Sequence, residues 1–284
     1  MTWEETILHA RKIDEFKQLI HDSYLNSDLK LNVERFSESL EFKETLELIN
    51  KYTTEKNRND KIKILDIGAG NGISTIAFAL SNFSVSAIEP DSSETVGQGA
   101  INLLKKEYNL FEIEVYSSFA ESLPFENERF DVVYARQAMH HAHNLNQFVA
   151  EASRVLKKDG LFVTCRDHVV NDDTQKQEFL KNHSLHKFYN GENAFSMDEY
   201  KNAFFNSGLK IEVELGPLDS VINYSPKTKS DIALEFNEIF KRKIGVQLPS
   251  NRLVDYILFL LFKWKTNNLY NNSGRLYTFI SRKH

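Results

Sequence analysis

The stretch ILDIGAGNG, residues 64–72, decides how this chain folds. A short apolar run (Ile64, Leu65, Ile67) enters glycines at 68, 70 and 72, and the apolar segment that begins at Ile73 reads as a helix. Glycine lets a backbone turn sharply and approach a ligand closely. The first turn of the helix presents N–H groups that have no intrahelical partner. A tight strand-to-helix turn without a ligand uses glycine in the same way. Asp66 favours the ligand reading, because an acid inside an apolar strand is costly unless it is paired or hydrogen-bonded. The spacing is G-x-G-x-G, with Ile73 in the place of the last glycine of the dinucleotide fingerprint G-x-G-x-x-G, which disfavours NAD or FAD.

Outward from that turn, β-rich runs alternate with helical runs. Residues 62–67, 84–89, 111–116, 130–135, 160–166 and 209–215 read as strands, and 275–281 (RLYTFIS) as a seventh. Helices are expected at 73–81, 94–108, 145–156 and 198–207. This alternation predicts a parallel sheet, since parallel strands need a long connection and a helix supplies it. The first fifty-odd residues carry apolar positions at helical spacing (Ile7, Ile13, Phe16, Leu19, Ile20, then Phe42, Leu46, Ile49). The domain organisation expected is a helical cap over 1–60, entered through a polar linker at 53–61, and a core over 61–216 and 271–284. Residues 171–200 are inserted into that core, and a helical insertion over 217–270 precedes the last strand. Long insertions of this kind often shape a substrate site.

The 284 residues include 41% hydrophobic and 26% charged residues, a balance that rules out a disordered or fibrous chain. A net charge of −5 provides no basic field, so nucleic acid is not an expected partner. A single cysteine, Cys165, excludes an intramolecular disulfide framework and a CxxC metal site, and it is expected to be buried and inert. The opening MTWEETILHARK has two early glutamates and no long apolar run, unlike a secretory signal. The apolar stretch YILFLLF at 256–262 is far short of the ~20 residues of a membrane span. It is expected to be a buried helix or a homodimer contact within 217–270. The expected location is the cytoplasm.

Four segments carry a family resemblance: ILDIGAGNG (64–72), AIEPD (87–91), ESLPFENERFDVVYARQAMHHA (121–142) and EASRVLKKDGLFV (151–163). Together they resemble the class I S-adenosylmethionine-dependent methyltransferases, in particular the small-molecule branch typified by ubiquinone-type methyltransferases. The resemblance implies an α/β fold, a seven-stranded, mostly parallel Rossmann-like sheet whose last strand runs antiparallel beside 209–215. It implies S-adenosyl-L-methionine as methyl donor and S-adenosyl-L-homocysteine as product. Asp66, Gly68, Ala69, Gly70 and Gly72 would hold the methionine part. Glu89 would accept the ribose hydroxyls, a vicinal diol that suits the paired oxygens of a carboxylate. The alternative for Glu89 is an exposed strand-end acid. Pro90 and Asp91 would border the adenosine. Where the family often has Gly-Asp-Ala before its LPF, this chain has Ser118-Phe119-Ala120. Phe119 would then pack on the adenine, with backbone groups around Ala120 reading its amino edge. Arg136 is expected close to the cofactor, or else at the surface.

The acceptor chemistry rests on histidines. His140, His141 and His143 follow the fourth strand and His168 the fifth, at the strand ends where α/β sheets hold ligands. A neutral imidazole can take a proton near neutral pH. His141 and His168 are therefore expected as base or substrate contact, against the alternative that the His140–His141 pair opens a helix and bonds the backbone. No metal is expected, because no carboxylate follows His140, His141 and His143 at metal spacing. The polar segment 182–194 (NHSLHKFYNGENA) places His183, His186, Tyr189, Glu192 and Asn193 as candidate lining of a polar acceptor pocket, with Arg166 between the segments. Residues 219–226 would add a second wall, and Arg35 would cap the cofactor carboxylate. The function expected is methyl transfer to a polar small molecule, at a hydroxyl oxygen. N- or C-methylation and a non-catalytic cofactor-binding scaffold remain open.

Overall fold

A computed structural model describes residues 1–53, 61–189, 191–249, 251–268 and 274–284, so most of the linker expected at 53–61 lies outside the described residues. In chain order the elements are α1 (Trp3–Ala10), α2 (Lys17–Asp22), α3 (Leu29–Glu38), α4 (Leu40–Tyr52), β1 (Lys63–Ile67), α5 (Ile73–Leu80), β2 (Ser84–Ile88), α6 (Gln98–Glu107), β3 (Glu114–Tyr116) and β4 (Phe130–Arg136). They continue with α7 (Leu145–Val155), β5 (Leu156–Val170), α8 (Asp173–Asn182), α9 (His186–Tyr189), β6 (Phe195–Ser196), α10 (Met197–Asn206), β7 (Leu209–Leu215), α11 (Val221–Tyr224), α12 (Lys229–Ile244), α13 (Arg252–Asn268) and β8 (Arg275–Lys283).

The strands lie in the order β3-β2-β1-β4-β5-β8-β7, and the two-residue β6 pairs with β5, so the sheet has eight strands rather than the expected seven. The extra strand sits in the 171–200 insertion, where Val169 and Val170 pair with Phe195 and Ser196. β8 runs antiparallel between β5 and β7, and the other pairings are parallel. Strand side chains alternate in direction, and the two faces feed two cores. Leu65, Ile67, Val133, Ala135 and Phe162 meet α7 and α10 on one side. Ile64, Val132, Tyr134, Val163 and Cys165 meet α3, α4 and α5 on the other. Cys165 is buried, and burial pushes its thiol up to about 12, which keeps it inert.

β3 is shorter than expected, starting at Glu114, and β5 starts earlier, at Leu156; two further boundaries differ for local reasons. α6 begins at Gln98 rather than near 94, because Asp91 folds the preceding segment: its side chain accepts from Ser93 N–H at 2.7 Å and its carbonyl from Gln98 N–H at 2.8 Å. β5 runs on to Val170 through a register shift between Thr164 and Asp167, where Arg166 has φ +64°. A bulge of this kind re-aims the residues beyond it.

The stretch 256–262 is only half covered. In α13, Leu258 and Phe259 are buried while Leu253, Tyr256, Ile257, Leu260, Leu261 and Trp264 are exposed, because a helix packed on one side buries one stripe. No helix among the described residues is long and apolar enough to cross a membrane.

Candidate active site

The site builds from the end of β1. Gly68 and Ala69 N–H both donate to the Ile88 carbonyl (2.9 and 3.1 Å), which ties the turn to β2. Gly68, Gly70 and Gly72 all have positive φ. At Gly68 the requirement is also steric, since a Cβ there would lie 2.7 Å from Ala138 Cβ.

Glu89 closes β2 and is 7% exposed, not the exposed strand-end acid of the alternative. Its carboxylate accepts from Gly70 N–H at 2.7 Å and Asp91 N–H at 2.9 Å. Burial nevertheless pushes it up to about 7, and the nearby acids Asp91 and Asp66 add to the shift. Among the described residues no cation faces it. A buried carboxylate whose two oxygens each hold one backbone N–H keeps lone pairs for further donors. That acceptor set, beside a turn that only glycine can make, fits a ligand offering two hydroxyls.

Asp66 is explained without a ligand. Ser74 and Thr75 of α5 donate to its Oδ2 at 2.7 and 2.6 Å. Burial raises it to about 6 against those bonds. The buried acid does have partners, and the chain itself supplies them.

Other expected cofactor residues divide. Ala69 and Ala120 are buried at the turn and before the LPF, Pro90 is exposed, and Phe119 is exposed with its ring edge toward His143 at 5.9 Å. The guanidinium of Arg136 is committed to Glu41 of α4 (2.5 Å), beneath the rings of Tyr24 and Phe36. Burial works against that charge, and Glu41 more than restores it. In this arrangement Arg136 ties α4 to β4. Arg35, proposed for the cofactor carboxylate, bonds the His21 carbonyl at 2.9 Å instead.

The acceptor-side histidines converge. Gln137, just past β4, and Arg166, at the bulge in β5, are both non-glycine with positive φ, where strain of ~1–3 kcal/mol per residue needs support from the surroundings. Beyond them, His140 Nδ1 lies 3.0 Å from Asp167 Oδ1, which also accepts from His140 N–H. His140 stacks beside His141 (ring centroids 4.1 Å) and meets His168 edge-on (4.7 Å). Glu192 reaches in from the insertion. Its carboxylate lies 3.7 Å from His140 Nε2, 4.0 Å from His141 Nε2 and 3.8 Å from His183 Nδ1, and accepts from Tyr189 Oη at 2.6 Å.

Burial lowers His141 to about 4 and His168 to about 3, with the neighbouring His140 charge adding to both. Burial also pulls on His140, but Asp167 and Glu192 outweigh it and raise it to about 9. Glu192 is held below the usual carboxylate range by His140, His141 and His183 despite burial. Two neutral imidazoles thus flank a charged pair.

Of the expected acceptor residues, His141, His168, His183, Tyr189 and Glu192 come together, and His186 is close enough to depress His183 further. No contact marks Asn193 as part of the cluster. Arg166 Nη1 bonds the Ile222 and Ser225 carbonyls, both at 2.8 Å, and so holds the segment 219–226. His140 and Asp167 were missed as site residues. Their signal was the acid one position before His168, at the C-terminal end of a strand.

Val96, after β2, packs with Ile7, Ala10, Phe16 and Ile20 of the cap and with Leu185 of the insertion, so one apolar cluster joins the cofactor side to the acceptor side.

A methyltransferase domain family matches residues 65–164. Residues 65–164 thus carry a methyltransferase domain, the same stretch that bears the class I resemblance. The Bacillus subtilis methyltransferase YcgJ is 34% identical over 118 residues, 42% of this chain and 45% of that protein. The Rickettsia canadensis ubiquinone biosynthesis O-methyltransferase is 29% identical over 116 residues, 41% of this chain and 47% of that protein. The chain thus matches less than half the length of these curated relatives. The crystal structure of YcgJ aligns with a TM-score of 0.53 at 20% identity, covering 85% of this chain and 99% of that one. Geranyl diphosphate C-methyltransferase from Streptomyces coelicolor, solved with Mg2+, geranyl diphosphate and S-adenosyl-L-homocysteine, aligns at 0.57 with 13% identity, covering 85% and 79%. At these identities the structures establish the methyltransferase fold, and residue roles must come from this chain's own geometry.

Proposed function

We propose that this protein transfers a methyl group from S-adenosyl-L-methionine to a polar small molecule, at a hydroxyl oxygen. The observation that carries the reading is the adjacency of two unlike sites. A turn that only glycine can make, with a buried carboxylate lacking a cation partner, lies at the ends of β1 and β2, and a cluster of imidazoles lies at the ends of β4 and β5.

When bound, S-adenosyl-L-methionine supplies a methyl group on a sulfonium that needs no further activation. The chain's task is then alignment and proton removal. The Gly68–Gly72 turn would hold the methionine part, and Glu89 the ribose diol. Phe119, beside Ala120, would cover the adenine. His141 donates Nδ1–H to the Gly191 carbonyl at 2.9 Å, which leaves Nε2 as the lone-pair nitrogen. That atom would take the hydroxyl proton as the acceptor oxygen attacks the methyl carbon and the C–S electron pair stays on sulfur. Glu192, 4.0 Å away, favours the imidazolium so formed. His168, deeper in the cluster, would contact the acceptor, and His183 and Tyr189 would line its pocket. The exposed face of α13 would pair two copies. The single buried cysteine suits a cytoplasmic location.

Calorimetry tests the cofactor half: S-adenosyl-L-methionine or its demethylated product should bind at micromolar levels, and Glu89→Ala should weaken binding at least tenfold. Binding of NADH in its place overturns the reading. A metabolite extract with methyl-labelled donor tests the acceptor half, with His141→Ala and His168→Ala each lowering turnover by about 10²–10⁴-fold while cofactor affinity holds. If both variants stay fully active, neither histidine is the base.

A further inference from the structure

The imidazole cluster orients more nitrogens than the single base of proton transfer requires. Three of its histidines commit the same nitrogen outward. His140 Nδ1 is bonded to the Asp167 carboxylate, His141 Nδ1 to the Gly191 carbonyl (2.9 Å) and His168 Nδ1 to the Gly274 carbonyl (2.9 Å). A carbonyl only accepts, so Nδ1 carries the proton in His141 and His168, and Nε2 carries the lone pair. Metal-binding histidines are oriented this way, with the non-ligating N–H donated to a carboxylate or carbonyl. Into the same space comes Glu192, nearly buried and oriented by Tyr189 Oη. Ligand atoms of His140, His168 and Glu192 lie within 4.8 Å of one another. Bonds of about 2.0–2.2 Å call for ligand atoms somewhat closer than that, a contraction within reach of side-chain adjustment.

We propose that His140, His168 and Glu192 bind a divalent first-row transition metal, with the remaining coordination positions open toward the methyl acceptor.

Two imidazoles and one carboxylate suit Zn2+, Co2+ or Fe2+, and are a poor set for Mg2+, which prefers oxygen ligands in an octahedron. The set is not the consecutive His140, His141 and His143. His143 lies outside it: its N–H donates to Glu121 and its ring faces Phe119. His141 stands beside the trio, its Nε2 4.0 Å from Glu192, free to act as the proton acceptor already assigned. His183, with Nδ1 3.8 Å from Glu192, borders the open side. The acceptors this site would select carry a donor that can ligate, such as a phenolate, an enolate, a carboxylate or a thiolate. That choice of substrate class rests on the methyltransferase reading above. The metal site itself does not.

The test uses the full chain, stripped with chelator and titrated with Co2+ followed by visible absorption, and with Zn2+ by calorimetry. One equivalent should bind with a micromolar or tighter Kd, with visible bands from Co2+ that Zn2+ displaces. Glu192→Gln and His168→Ala should each weaken binding at least 100-fold. Asp167→Asn, which touches the metal only through His140, should weaken it about 10–100-fold. All three should keep the cofactor affinity of the parent, and His143→Ala should leave metal binding unchanged. Failure of the parent to bind either ion overturns the proposal, as does binding that survives Glu192→Gln and His168→Ala, or a site that prefers Mg2+. S-adenosyl-L-methionine binding without metal binding sinks this inference alone. Metal binding without S-adenosyl-L-methionine binding sinks the methyltransferase reading and leaves the site standing.

Discussion

The two halves of the cleft are built from contacts of different reach. On the cofactor side the key bond, Gly70 N–H to Glu89, joins residues 19 apart, and the Asp66 bonds to Ser74 and Thr75 span 8 and 9. On the acceptor side His140 meets Asp167 across 27 residues, His141 meets Gly191 across 50 and His168 meets Gly274 across 106. One half follows from a strand, a turn and a helix in succession. The other exists only when a bulged strand, an insertion and the end of the chain arrive together. Damage should therefore stay local in the first half and spread in the second.

The largest effect is expected where the cap is pinned to the end of β4. Arg136→Met leaves the buried Glu41 only the more distant Arg166 guanidinium at 3.6 Å, which should cost about 3 kcal/mol in urea unfolding. Adding Glu41→Leu should recover much of that loss, and a single variant within 1 kcal/mol of the parent would show that the pair does not carry the cap. Gly68→Val comes next. Its Cβ would meet Ala138 Cβ at 2.7 Å in a backbone with φ +67°, a combination of overpacking and strain worth about 3 kcal/mol. Cofactor binding should fall with it, while the imidazole cluster persists in the folded fraction.

Glu89 allows a sharper comparison, because one group should move two observables in opposite directions. Folding raises it from 4.5 to about 7, so the folded state holds its proton more tightly than the unfolded state. Its contribution to stability is full below about pH 4.5 and is lost as pH rises to about 7. Ribose binding needs the ionised form and should strengthen over the upper part of that range, about tenfold from pH 6 to 8. Glu89→Gln should flatten both trends. A cofactor affinity in the parent that does not change with pH would remove Glu89 from the ribose site. The smallest effect belongs to Phe119→Ala: an exposed side chain should change stability by less than about 0.5 kcal/mol, yet lower cofactor affinity several-fold if the ring covers the adenine.

The difference in reach also explains what could be read in advance. Periodicity placed the strands and the helices behind them, and the glycine spacing placed the turn. It could not show that Asp66 is satisfied by Ser74 and Thr75, although both stand within one helical turn of the glycines. Phe195–Ser196 was too short for any pattern to mark as a strand. Nor could the sequence show that Arg136 pairs with Glu41 and that Arg166 bonds two loop carbonyls, since those partners lie far along the chain.

The amino-acid order alone settled the α/β core, the glycine turn and the acid that follows it, since each depends on residues close together in the chain or on period and spacing; the reversal of the last strand came only with the family resemblance. The meeting of His140, His141, His168 and Glu192, and the tautomers their carbonyl and carboxylate partners impose, were decided only by tertiary structure. Such side chains come from segments with no common period, and where they meet is set by how the sheet twists, bulges and closes around them.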